Sequence, residues 1–241
     1  GAGAGIAARS PLALFAPDPR LATAARGPLG AADELKEVVC CLHRAGLEVL
    51  LGVEFCTTSE TQDAAQFTGR SLGCIDRGLY YRETGAKRPR VLAAGSPVVR
   101  SLIRDSLLYW ASEYRVDGFV VLSAENLVQD AFGAILDNAP LAEEIAHDPV
   151  LRHLRLVAAV GDAALLPRGG ERGFPHWGTW CEWNARFSDV LADYLVHGAR
   201  GRLSAVATAF AGSPDLLAGR WDAGLPGSLA PSRPPHHGVN A

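Results

Sequence analysis

Apolar residues in this chain fall into two rhythms, and their alternation sets out the elements. LALFA (Leu12 to Ala16) is a short apolar run closed by Pro17 and Pro19, and it reads as a strand. From Ala31 to Ala45, Leu35, Val38, Val39 and Leu42 recur at three and four spacing, with Gly46 at the C-cap position, which predicts a helix. LEVLLGVEF (Leu47 to Phe55) is nearly continuous in apolar residues and predicts a buried strand. A polar, irregular stretch follows from Cys56 to Gly95, too long for an ordinary connection, and is expected to be an inserted lobe. Pro97 then opens a second helical pattern, SPVVRSLIRDSLLYWASEYR, with Val98, Leu102, Leu108 and Trp110 among its apolar positions. VDGFVVLSAEN (Val116 to Asn126) is a buried strand running out into a polar turn. A weaker helix covers about Leu141 to His147, and LRLVAAV (Leu154 to Val160) is a further strand. Helices are expected from about Ala185 to Val196 and from Leu203 to Phe210. The end, PGSLAPSRPPHHGVNA, is rich in Pro, Ser and Gly and is expected to be disordered.

Strand, helix, strand, helix, strand with apolar strands means a parallel sheet covered by helices. Doubly wound sheets and (β/α)8 barrels both fit. No Gly-rich phosphate loop follows any strand, which favours the barrel. The expected organisation is a partial (β/α)8 barrel over 1–212, about four strands from roughly the second to the fifth. It carries an insertion at 56–95, and a low-complexity tail occupies 213–241.

Composition removes several alternatives. A formal net charge of −3 offers no bulk attraction to nucleic acid or to an anionic membrane, and no apolar run is long enough for a spanning helix. The first residues, GAGAGIAARSPLALFAP, lack the basic and long apolar regions of a secretory signal. Met is absent, including at position 1, so the sequence is expected to be a piece of a longer protein. The five cysteines show no C-x-x-C spacing and read as reduced thiols. His176 and the His236–His237 pair lack metal-ligand spacing, so no metal and no cofactor is expected.

Four stretches carry a family resemblance. They are AGLEVLLGVEFCTT (Ala45 to Thr58), SPVVRSLIRDSLLYWASEYRVDGF (Ser96 to Phe119), DPVLRHLRLVAAVGD (Asp148 to Asp162) and FPHWGTWCEWNARFSDVL (Phe174 to Leu191). Together they resemble the isoamylase-type starch debranching enzymes of the α-amylase superfamily, over about Ser10 to Ala218. The last stretch is the most specific to the isoamylase branch. The resemblance implies that these segments hold the third barrel strand, the helix and strand that follow it, the approach to the fifth strand, and a segment beyond.

Retaining hydrolysis of an α-glucoside needs a carboxylate nucleophile and a carboxylic acid/base about 5–5.5 Å apart. Barrel enzymes carry such groups at the C-terminal ends of strands. In the family the third strand ends Asp-x-x-x-Asn-His; those places hold Gly52, Cys56 and Thr57 here. The fourth carries Gly-Phe-Arg-x-Asp, with the nucleophile last. Gly118 and Phe119 match, but Val120 replaces the Arg and Leu122 the nucleophile. The fifth carries Ala-Glu-Pro-Trp-Asp with Glu as acid/base; here stand Ala158, Ala159, Val160, Gly161 and Asp162. Both carboxylates are missing. The resemblance is therefore closest to the family's non-catalytic subunit class of plants and green algae.

That class implies a degenerate subunit of starch metabolism in the plastid stroma, binding α-glucan such as amylopectin. Its partner would be a catalytic isoamylase or a second copy of itself. The alternative is an active hydrolase of α-1,6 branch points. Candidate glucan contacts are Trp177, Trp180, His176 and Asp162, since sugar C–H faces stack on aromatic rings and carboxylates hold hydroxyls. Trp183 is expected to pack. Glu54 shares a strand face with Gly52 and Cys56; it could be a relocated acid, or it could pair with an interior arginine such as Arg155. Asp117 falls on the opposite face, where a structural role is expected. Glu125, just past a strand end, could reach a sugar hydroxyl or sit solvated in a loop.

Overall fold

The computed structural model describes residues 11, 13–58, 72–82, 91–161, 174, 180–211 and 238–239. In chain order, helix α1 covers Ala31–Arg44 and strand β1 Leu50–Glu54. Helix α2 (Leu72–Tyr80) and the antiparallel pair β2 (Tyr81–Arg82) and β3 (Val91–Leu92) come next, followed by α3 (Pro97–Tyr114) and β4 (Gly118–Leu122). Then come α4 (Pro140–His147), β5 (Arg155–Ala159), β6 (Cys181–Trp183), α5 (Ala185–Leu195), α6 (Leu203–Phe210) and β7 (Gly238–Val239). β1, β4, β5, β6 and β7 lie side by side in that order, every pairing parallel. Parallel neighbours joined through helices are the repeat of a (β/α)8 barrel, and the chain forms part of one.

The sheet separates its residues by parity. Phe119 and Val121 on β4, with Leu156 and Ala158 on β5, are buried against Val99, Ile103 and Leu107 of α3 and Leu141 and Ile145 of α4. Val120 and Leu122 face the other way, only half-buried, on the side of Gly52 and Glu54. α3 starts with Pro97 in its first turn, where a missing amide costs nothing, and ends at Arg115 in the left-handed region (φ 55°).

Several expectations need correction. LALFA forms no strand among its described residues. Instead the Leu14 carbonyl accepts hydrogen bonds from Ser106 Oγ (2.7 Å) and Trp110 Nε1 (2.8 Å), and Phe15 packs edge-on against Tyr109. A segment whose carbonyl is taken by side chains is docked on α3, not laddered into a sheet. The strands observed are thus the expected third, fourth and fifth, with β6 continuing the sheet beyond them. On α3 the buried stripe runs Val99, Ile103, Ser106, Leu107, Trp110 and Tyr114; of the apolar positions read from sequence Trp110 belongs to it, whereas Val98 is 43% exposed. The insertion is anchored at its ends: Tyr81, Val91 and Leu92 are buried, the Leu92 amide donates to the Cys56 carbonyl, and Thr58 Oγ1 bonds Tyr81 Oη at 2.8 Å. In the tail, expected to be disordered, Gly238–Val239 pairs with β6.

Candidate functional site

Three strands end together. The register pairs Gly52 with Val120 and Val120 with Val157; two residues on, it pairs Glu54 with Leu122 and Leu122 with Ala159. Paired residues on adjacent parallel strands are about 4.8 Å apart along the hydrogen-bonding direction. Leu122 and Ala159 thus stand level at the ends of β4 and β5, and neither side chain can ionise. On β1, a Cβ added at Gly52 would meet no atom of the described residues within 4 Å.

Beside these apolar positions lies a small polar cluster assembled from three strand ends. Ser123, in the left-handed region directly after β4 (φ 50°), donates its hydroxyl to Glu54 Oε1 at 3.2 Å. Glu54 Oε2 is buried and has no hydrogen-bond partner among the described residues. Partial desolvation pushes the Glu54 carboxyl above the usual range; the Ser123 hydroxyl opposes this and the charge of Glu125 adds to it. Glu125 is buried, and its Oε2 accepts the Gly161 amide at 3.0 Å, tying the end of β5 to the turn after β4. Asn126 Nδ2 donates to the Phe55 carbonyl at 3.4 Å. Desolvation, followed by the fields of Glu54 and Glu125, pushes the Cys56 thiol up to about 11, so it stays protonated at neutral pH and is a poor nucleophile. Among the described residues no group of three or more His, Cys, Asp or Glu could hold a metal ion.

The other sequence candidates separate clearly. His176, Trp177 and Asp162 lie outside the described residues. Trp180 is fully buried: its ring lies 5.2 Å from that of Phe174 and its Nε1 donates to the Ala142 carbonyl at 3.3 Å. A ring so enclosed has no face for a sugar, so its role here is packing. Trp183 is half-buried on β6. Glu125 is buried, not solvated, and one of its oxygens already accepts the Gly161 amide. Arg155 is no interior partner for Glu54; it stands at the opposite end of the sheet, exposed, and pairs with Glu48. Asp117 is structural: its Oδ2 accepts the Val49 amide at 2.7 Å and pairs with His43 Nε2 at 2.8 Å. Burial pushes it up, but these two bonds outweigh burial and hold it below the usual carboxylate range. Sequence reading missed Ser123 and Asn126, whose only signal was their place just past an apolar strand.

No family model matches the chain. Curated relatives do. Isoamylase 3, chloroplastic, of Oryza sativa subsp. japonica is 36% identical over 240 residues, covering 96% of this chain and 29% of that protein. Isoamylase 2, chloroplastic, of Arabidopsis thaliana is 34% identical over 211 residues, 86% of this chain and 22% of the relative. A glycogen operon protein GlgX homolog of Haemophilus influenzae is 33% identical over 216 residues, 86% and 31%. The chain therefore spans less than a third of the length of these relatives. Among solved structures, a pullulanase of an Anoxybacillus species complexed with maltotetraose superposes with a TM-score of 0.57 at 22% identity, over 85% of this chain and 31% of that one. A putative alpha amylase from Salmonella typhimurium superposes at 0.56 and 22% identity, over 82% and 32%. At that identity the structural likeness speaks for the fold.

Proposed function

The chain is homologous to part of the isoamylase-type starch debranching family, and from that premise we propose that its protein is a catalytically silent subunit that binds α-glucan. One observation carries the reading: Leu122 and Ala159 are register partners at the strand ends where the family resemblance calls for nucleophile and acid/base. Without the nucleophile there is no covalent route, and without the second carboxyl no proton reaches the leaving oxygen. Val120 and Thr57 add to the loss, since neither can supply the charge of the Arg and His they stand for. Glu54 does not restore the pair, because its register partner is Leu122, whose own partner is Ala159, and neither is a carboxylic acid.

A fold kept without its chemistry has binding and assembly left to do. The ligand proposed is amylopectin or its precursor, by extension from the family resemblance. The protein partner proposed is a catalytic isoamylase, in the plastid stroma. His176, Trp177 and Asp162 remain the proposed glucan contacts from the sequence. The test is a pair of measurements on the full-length protein: retention in an amylopectin affinity gel, and co-elution with an active isoamylase in size-exclusion chromatography. Both are expected. A protein retained by neither would overturn the reading.

A further inference from the structure

Between β4 and α4 the chain displays an aromatic ring that the strand-end cluster does not use. Phe132 is 90% exposed, the most exposed aromatic among the described residues. Its loop is nevertheless tightly held. Asp130 Oδ1 accepts both the Phe132 and the Ala134 amides at 2.8 Å, the Asp130 amide donates to the Ala134 carbonyl, and Gln129 bridges Ile135. Gly133 takes φ 91°, and Arg82 from β2 packs beneath it while donating to the Gln129 amide oxygen. The loop leaves the C-terminal end of β4, the side of the sheet on which barrel proteins meet their ligands.

We infer that Phe132 is a stacking platform for an α-glucan chain at the rim of the barrel, an inference that rests on the glucan-binding reading above. Protein docking needs a contiguous apolar patch of a few hundred Å². Here the exposed neighbours Ala131, Ala134, Asp137 and Asn138 are small or polar. A ring whose exposed neighbours along the described loop are small and polar suits a sugar, whose C–H face needs one aromatic and whose hydroxyls need hydrogen-bond partners. Holding the loop in advance lowers the ordering cost on binding.

The test is affinity electrophoresis of the full-length protein in gels containing amylopectin, with melting temperature as the check on folding. Phe132→Ala should weaken retention roughly three- to tenfold, while Phe132→Trp keeps it, with both variants melting like the wild type. Gly133→Ala keeps the ring but strains a positive φ and sets a Cβ 2.1 Å from Arg82 Nη1, so it should weaken retention as well. A wild type that is retained equally with Phe132→Ala would overturn the inference and leave the glucan reading standing. A wild type that is not retained at all would overturn both.

Discussion

Glu54→Gln should stabilise the protein at neutral pH, and the reason lies in one oxygen. Among the described residues Glu54 Oε2 is buried without a partner, its sister oxygen accepts the Ser123 hydroxyl at 3.2 Å, and Glu125 places a second negative charge nearby. An unsatisfied buried polar group costs about 1–3 kcal/mol, and half-burial of this side chain favours the lower end. Glutamine keeps the shape and removes the charge that Glu125 repels. A gain of about 1 kcal/mol follows, or roughly 2–4 °C in melting temperature for a domain of this size. The pH dependence fixes the sign. A carboxyl whose folded pKa is raised binds its proton more tightly in the folded state. Its favourable contribution is full below the unfolded value, about 4.3, and is lost as pH rises through the folded value. The advantage of the variant should be near zero at pH 4 and should grow toward pH 8 as the folded carboxyl loses its proton. Urea unfolding of wild type and variant across that range measures it. A variant less stable at pH 7, or a difference independent of pH, would show that Glu54 is solvated or paired and would refute the reasoning.

Asp117→Asn should cost about 1–2 kcal/mol at neutral pH by weakening the acceptor for the Val49 amide and His43. Because the Asp117 pKa is depressed, its contribution is present above about 3.9 and lost as pH falls through the folded value, so denaturation curves of the two proteins should converge in acid. Gly118→Ala would set a Cβ 2.2 Å from the Arg155 carbonyl oxygen, a backbone atom, and should cost about 3 kcal/mol in unfolding experiments. Trp180→Ala should cost about 3–5 kcal/mol in the same measurement, and any loss of glucan retention should follow loss of folded protein.

The central strands could be read from sequence because their apolar runs are long for their length and bounded by polar turns. Those runs, LEVLLGVEF, VDGFVVL and LRLVAAV, became adjacent parallel strands whose register brings Glu54, Leu122 and Ala159 level. Runs as short as LALFA do not say what will take their backbone groups; here side chains of α3 do. An apolar pattern alone does not place Ser106, a polar residue, in the buried stripe of α3, where it belongs through its bond to the Leu14 carbonyl. β6 escaped notice because three residues among tryptophans show no period. Alternation found the face of Glu54 but not its neighbour. Arg155 begins its strand and points its charge to Glu48, whereas Ser123 and Glu125 come from the turn after β4. Partners across strand ends are set by register, which a single sequence does not print. The aromatic setting of Trp180 in the sequence suggests a glucan contact, yet its indole N–H finds a carbonyl of α4, as a buried Trp must.

The most direct test is reducing-end release from amylopectin by the purified full-length protein, beside an active isoamylase and a buffer blank. With Leu122 and Ala159 at the strand ends, release should equal the blank at every pH. Turnover above the blank that co-purifies with the protein and persists after removal of contaminating amylase would contradict a silent site, and its loss in Glu54→Gln would point to the residue responsible.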